Sequence, residues 1–97
     1  MKPNCQIHLT GHIDVPADRL GVVAKALPEH IRLTLAEPDC LSFTVTPDPS
    51  VQGRFLVDET FASREAFEAH QLRAKSSRWS QITEGLQRSY TIRDLPA

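Results

Sequence analysis

From Cys5 to Asp14 the chain alternates. Cys5, Ile7, Leu9 and Ile13 share one face, with Gly11 between them, and Gln6, His8, Thr10, His12 and Asp14 share the other. Period two of this length predicts a strand. After Pro16 the period lengthens: Leu20, Val23, Leu27 and Ile31 recur every three or four residues, the spacing of an amphipathic helix. Pro16 suits the helix start, with Asp14 or Asp18 favourable in its first turn. Pro28 cannot donate a hydrogen bond and biases Leu27 away from helical space, so a kink is expected there, or two helices end to end with the second covering Pro28 to Ala36. Glu37-Pro38-Asp39 reads as a turn. Alternation returns from Cys40 to Thr46, where Leu41, Phe43 and Val45 oppose Ser42, Thr44 and Thr46. Pro47 to Gly53 has the composition of a hairpin loop, and Arg54 to Phe61 reads as a third strand with Phe55, Val57, Glu59 and Phe61 on one face. Ser63 is a good N-cap for a second helix, with Glu65 in its first turn and Phe67, His70, Gln71 and Ala74 on one stripe. Trp79 and Ile82 suggest a short last helix closed by Gly85. Leu86 to Ile92 completes the set as a strand, with Leu86, Arg88, Tyr90 and Ile92 facing one way.

The order β-α-β-β-α-β, with a hairpin joining two β-α-β units, predicts a ferredoxin-like α+β fold: an antiparallel sheet with helices on one face. A length of 97 residues with 40% hydrophobic and 24% charged positions suits one globular domain spanning 1–97. No apolar run approaches the ~20 residues of a membrane helix. The N-terminus lacks the apolar stretch of a signal peptide, so the mature chain is expected to start at Met1 and to be cytoplasmic. Net charge is −1, and the densest basic stretch, Arg73 to Arg78, carries only three charges among neutral residues. That excludes a phosphate-tracking surface, and with it nucleic acid as a partner. Cys5 and Cys40 read as small buried hydrophobes without metal-ligand spacing.

Glu59 is the most informative residue, because it sits among Phe55, Val57 and Phe61 on an apolar strand face. An inward carboxylate must be paired or protonated. It is either ion-paired with Arg88, which shares the apolar register of its own strand, or a tuned acid or base on a pocket wall. His70, on the apolar stripe of the second helix, is either a satisfied core histidine or a general base. His8 and His12 lie too far apart along a strand to chelate one metal easily, and His30 stands alone; no metal site is expected. Glycine-rich phosphate loops, nucleophile elbows and zinc-protease motifs are absent.

The stretch Leu33-Thr34-Leu35-Ala36-Glu37-Pro38-Asp39-Cys40-Leu41-Ser42-Phe43 resembles the "x-T-x-x-E-P-G-C-L-x-F" turn and strand of the antibiotic biosynthesis monooxygenase (ABM) family. Phe55-Leu56-Val57-Asp58-Glu59-Thr60-Phe61 and Ala66-Phe67-Glu68-Ala69-His70 resemble that family's "E-x-[WYF]" strand end and "A-F-x-A-H" helix. Asp39 replaces the usual turn glycine, Ser76 to Trp79 stand where many relatives carry a second His, and Phe61 stands where Trp or Tyr is frequent. The resemblance implies a homodimer built through the sheets and a small-molecule pocket between sheet and helices in each subunit. It further implies oxygenation of a phenol or quinol with no cofactor, or else binding of a small molecule or haem without turnover. A haem-degrading relative would place an Asn in the first strand, whereas Asn4 precedes it here. On this reading His70 is the base and Glu59 orients it. Phe61, Phe67, Trp79 and Tyr90 are the aromatic walls, and Arg88 is a further substrate contact.

Overall fold

The computed structural model describes residues 5–96, so Asn4 and the chain start lie outside the described residues. Strands β1 (Gln6–Asp14), β2 (Cys40–Pro47), β3 (Arg54–Phe61) and β4 (Gln87–Leu95) alternate with helices α1 (Ala17–Leu35), α2 (Arg64–Lys75) and the short α3 (Arg78–Ile82). The sheet runs β2-β3-β1-β4 and every adjacent pair is antiparallel. This is the expected ferredoxin-like arrangement. No described helix is long and apolar enough to cross a membrane.

Residues directly opposite in an antiparallel pair share a sheet face. Ile7, Leu9 and Ile13 of β1 lie opposite Phe61, Glu59 and Phe55 of β3. All six are buried, and Phe61, Ile7 and Ile13 almost completely so. The helices cover this face over β1, β2 and β3. β4 is different: Gln87 to Asp94 are all exposed, and only Leu95 is half-buried. Its backbone closes the sheet edge while its side chains stay out of the core. Gly11 makes that closure possible. A Cβ at Gly11 would lie 1.9 Å from the Ser89 carbonyl oxygen and 2.8 Å from the Tyr90 ring, and its φ of +155° disfavours a side chain in any case.

Two expectations need correction and a third is narrowed. Helix α1 passes through Pro28 as one 19-residue element, so of the two outcomes expected there the pair of separate helices does not occur. Pro28 is exposed, and the flanking turns are pinned by the buried stripe Val23, Leu27, His30 and Thr34. An interior proline costs ~3 kcal/mol, and burying one or two apolar side chains returns that much at ~1.5–3 kcal/mol each. The cap of α3 is Thr83, not Gly85. Thr83 is fully buried and its hydroxyl donates to the Trp79 carbonyl at 2.7 Å, while Gly85 forms the following turn at φ +79°. β4 runs on past Ile92 to Leu95, because pairing with β1 continues as far as Gln6↔Leu95. Polar Arg93 and Asp94 give no alternation from which to read that extension.

Candidate active site

Between the sheet and the three helices lies a cavity of about 320 Å³. Leu9, Val57 and Glu59 form part of its floor, His30 and Phe43 one side, and His70 and Trp79 its roof; Arg88 and Tyr90 of β4 form the outer wall. Each position follows from local structure. The alternation of β3 turns Glu59 inward with Val57 and Phe61. Ser63 caps α2 by accepting from the Ala66 N–H, which sets the helix phase that buries Phe67 and, three residues on, His70. Ser77 caps α3 by accepting from the Ser80 N–H, and Arg19 on α1 donates to the carbonyls of Ile82 and Glu84. Trp79 is thereby held over the cavity.

His70 is 3% exposed and gripped from both sides. Its Nδ1 lies 3.1 Å from both carboxylate oxygens of Glu37, and its Nε2 lies 3.9 Å from Glu59 Oε1. Nδ1–H donating to Glu37 leaves Nε2 as the free lone pair. Burial lowers the His70 pKa, against the opposing effect of its hydrogen bond to the Glu37 carboxylate. Glu37 is itself fixed by an ion pair with Arg73, whose Nη2 also donates to the buried Thr34 hydroxyl at 3.1 Å. Glu59 is 8% exposed, and its Oε1 has no hydrogen-bond partner among the described residues. Burial, with the charges of Glu37 and Asp58, pushes its pKa up to about 7. At neutral pH the site therefore pairs a neutral imidazole with a half-protonated carboxylic acid, and the two can pass a proton between them and a ligand.

Of the two readings open for Glu59, the ion pair with Arg88 does not form. Arg88 lies opposite Ile13 on β1, whereas the residue opposite Leu9, beside Glu59, is Ile92. Register therefore carries the guanidinium away from the carboxylate. Arg88 donates instead to the Thr83 hydroxyl at 2.6 Å and to the carbonyls of Thr83 and Leu86. Trp79, Tyr90 and Arg88 meet at the cavity. Phe61 and Phe67 lie behind it: Phe61 is fully buried, with its ring 4.8 Å from that of His70 and 5.8 Å from that of Phe67. Phe61 sets the position of the imidazole from underneath, with Phe67 packed against Phe61.

Two residues escaped the sequence reading. Glu37, placed only in a turn, is the partner that orients His70, the role expected of Glu59. His30, which stands alone in the sequence pattern, is buried on α1 and stacked on Trp79, with centroids 4.7 Å apart and planes 6° from parallel. It also meets Phe43 edge-on at 5.4 Å. Its Nδ1 has no hydrogen-bond partner among the described residues, and burial, with help from the charges of His70, Arg73 and Arg88, lowers its pKa to about 4. The signal for His30 was present in its spacing, three residues after Leu27 and four before Thr34. On the other face of the sheet His8 meets Asp58 at 3.1 Å and His12 meets Asp14 at 3.9 Å. No group of three His, Cys, Asp or Glu with metal-ligating geometry occurs among the described residues. Cys5 and Cys40 are half-buried thiols.

The sequence profile of the family described as antibiotic biosynthesis monooxygenase matches residues 6–81. No curated protein matches the chain at a significant level. Solved structures share the fold at low identity. A conserved protein of unknown function from Bacteroides thetaiotaomicron, described as a possible oxidoreductase, superposes with a TM-score of 0.78 at 18% identity, covering 95% of this chain and 99% of that one. A protein from Nitrosomonas europaea described as a candidate antibiotic biosynthesis monooxygenase gives 0.79 at 16% identity, covering 97% and 92%. One from Deinococcus radiodurans with the same description gives 0.76 at 18%, covering 94% and 93%.

Proposed function

The chain belongs to the antibiotic biosynthesis monooxygenase family, and on that premise we propose that it oxygenates a phenol- or quinol-type aromatic bound in the cavity, without a metal or flavin. The observation that carries this reading is the disposition of His70. Its Nδ1 is held by Glu37, and its Nε2 is left between Glu59 and the cavity.

Dioxygen reacts slowly with neutral aromatics but accepts an electron from a phenolate or enolate. His70 Nε2 takes the phenolic proton, and the Glu37 carboxylate stabilises the resulting imidazolium at Nδ1. The substrate anion gives one electron to oxygen, and the radical pair combines to form a C–O bond. His70 returns the phenolic proton to the peroxide. The Glu59 carboxylate then takes the hydrogen from the oxygenated ring carbon as the O–O bond breaks. The departing hydroxide receives that proton from Glu59 and leaves as water, and the carbon–oxygen double bond of the quinone remains. The apolar floor excludes water and favours combination over escape of the radicals. Phe61, with Phe67 packed against it, positions His70 from behind, while Trp79 and Tyr90 hold the ring.

The same reading makes the protein a homodimer through the helix-free face of the sheet. That face carries uncharged Thr10, Ser42, Thr44, Thr60, Ser89 and Thr91 around an exposed Leu56. Light scattering should return twice the chain mass of 10.9 kDa, and a monomer at micromolar concentration would count against the assembly. Catalysis is tested by oxygen uptake over a panel of hydroquinones and anthrones. A positioned base contributes roughly 10²–10⁴ in rate. His70→Ala should fall by that order, and Glu59→Gln by at least tenfold. If both stay within threefold of wild type with the fold intact, the pair does not act in catalysis.

A further inference from the structure

The cavity carries both signs of charge. Glu59 and His70 line it, with Glu37 behind the imidazole. Two cations, Arg88 and Lys75, line it as well, together with the hydroxyls of Ser80 and Tyr90. Register sets Arg88 opposite Ile13, four residues along β4 from Ile92, the position level with Glu59. Neither cation has a carboxylate within ion-pair distance among the described residues. The acidic side chains that do pair are taken by Arg32, Arg54, Arg64, Arg73 and the histidines.

Arg88 is not a loose surface residue. Its guanidinium is fixed by three hydrogen bonds to neutral oxygens, two of them on the fully buried Thr83. Arg88 also hydrogen-bonds the Tyr90 side chain, so a positioned guanidinium whose charge no carboxylate offsets stands at the cavity wall. Neutral partners hold it in place without satisfying its charge.

We propose that this outer wall is a carboxylate-binding subsite, and that the natural ligand is an aromatic acid: a fused ring system bearing a carboxylate at one end and an ionisable hydroxyl at the other. Arg88 receives the carboxylate, with Lys75 adding long-range attraction. The apolar body lies between Leu9, Val57 and Trp79, and the hydroxyl points to His70. The opposite orientation would set two carboxylates together at Glu59, so the charge pattern selects a single pose. A volume of about 320 Å³ lies at the lower end of the ~300–1,000 Å³ range of ligand pockets, which limits the body to a bicyclic or compact tricyclic ring system. The assignment of the hydroxyl end rests on the oxygenation reading above; the carboxylate end does not.

Isothermal titration calorimetry with naphthoate and its neutral isostere naphthamide separates the two. At low salt naphthoate should bind about tenfold more tightly than naphthamide. Arg88→Gln should abolish that preference, and Arg88→Lys should restore part of it. The preference should also shrink as salt is raised. Equal affinity for the two probes, binding of neither, or an unchanged ratio in Arg88→Gln overturns the subsite. A naphthoate preference lost in Arg88→Gln, in a protein that consumes no oxygen with any hydroquinone, supports the subsite and removes the oxygenase reading alone.

Discussion

Glu59 and His30 titrate in opposite senses, and the pair should be visible in the pH dependence of stability. The folded state raises the Glu59 pKa from an ordinary 4.5 to about 7. Between those values the native protein keeps a proton that the unfolded chain has released, so this group's contribution to stability falls as pH rises. A gap of that size at ~1.4 kcal/mol per pH unit sets a ceiling of ~3 kcal/mol. His30 does the reverse. Its folded value of about 4 lies below the unfolded 6.5, so the unfolded chain holds the extra proton and stability is lost as pH falls through that window. The ceiling is again ~3 kcal/mol. In the wild type the two slopes offset each other between about pH 4.5 and 6.5. Substituting one group should expose the other. Glu59→Gln should gain stability relative to wild type by ~3 kcal/mol as pH rises from 4.5 to 7.5, and His30→Phe should lose about the same amount. The assay is urea unfolding at constant ionic strength across pH 4–8, reading differences from wild type so that other groups cancel. The buried amide of the Gln variant adds a fixed offset of ~1–3 kcal/mol but no slope. Difference curves that stay flat would show that neither group has a displaced pKa, and the acid–base account of the cavity would fall with them.

Gly11→Ala should destabilise the fold by ~2–4 kcal/mol, because the new Cβ meets a backbone carbonyl that cannot move without breaking the β1–β4 ladder; thermal denaturation measures it, and a loss under 0.5 kcal/mol would mean the strand pair is looser than described. Pro28→Ala should stabilise the protein by ~1–3 kcal/mol, since the residue is exposed and interior to an unbroken helix; no gain would place a real break in α1. Phe61→Ala should cost ~3–5 kcal/mol, with Phe61→Leu intermediate and with oxygen uptake reduced as His70 loses its support. Glu37→Gln should keep the fold but lower kcat by roughly tenfold or more, because a neutral amide cannot stabilise the imidazolium; an unchanged kcat and pH–rate profile would leave Glu37 a purely structural anchor.

Where alternation and helical spacing were strong, the elements could be read from the chain. Ile7, Leu9 and Ile13 against Phe55, Val57 and Phe61 state both the strands and the face they share. The inward position of Glu59 followed from the same alternation, and His70 from its place three residues after Phe67. What could not be read depends on the third dimension. Glu37 reaches His70 only because the turn after α1 folds beside α2, a contact across 33 positions. The separation of Arg88 from Glu59 is a matter of register, and nothing local sets how β4 slides along β1. His30 was legible in principle, yet a polar residue on an apolar stripe gives no hint that a tryptophan on another helix will stack on it. Pro28 does not divide α1, because the burial of Leu27 and His30 on either side of it offsets its local penalty.

The edge strand β4 has an evolutionary consequence. It is held to the sheet through its backbone, and from Gln87 to Asp94 its side chains contribute almost nothing to the core. It also lies beyond the segment that matches the family profile, which ends at residue 81. Exposed substitutions away from special features change stability by roughly 0.5 kcal/mol or less. Inheritance can therefore rewrite this wall of the cavity without disturbing the proton-handling groups at the other end. Arg88 and Tyr90 form a short cassette in which a new substrate preference could arise by drift, tested against the environment one residue at a time. A library randomised at those positions alone should stay almost entirely folded while diverging in what it binds.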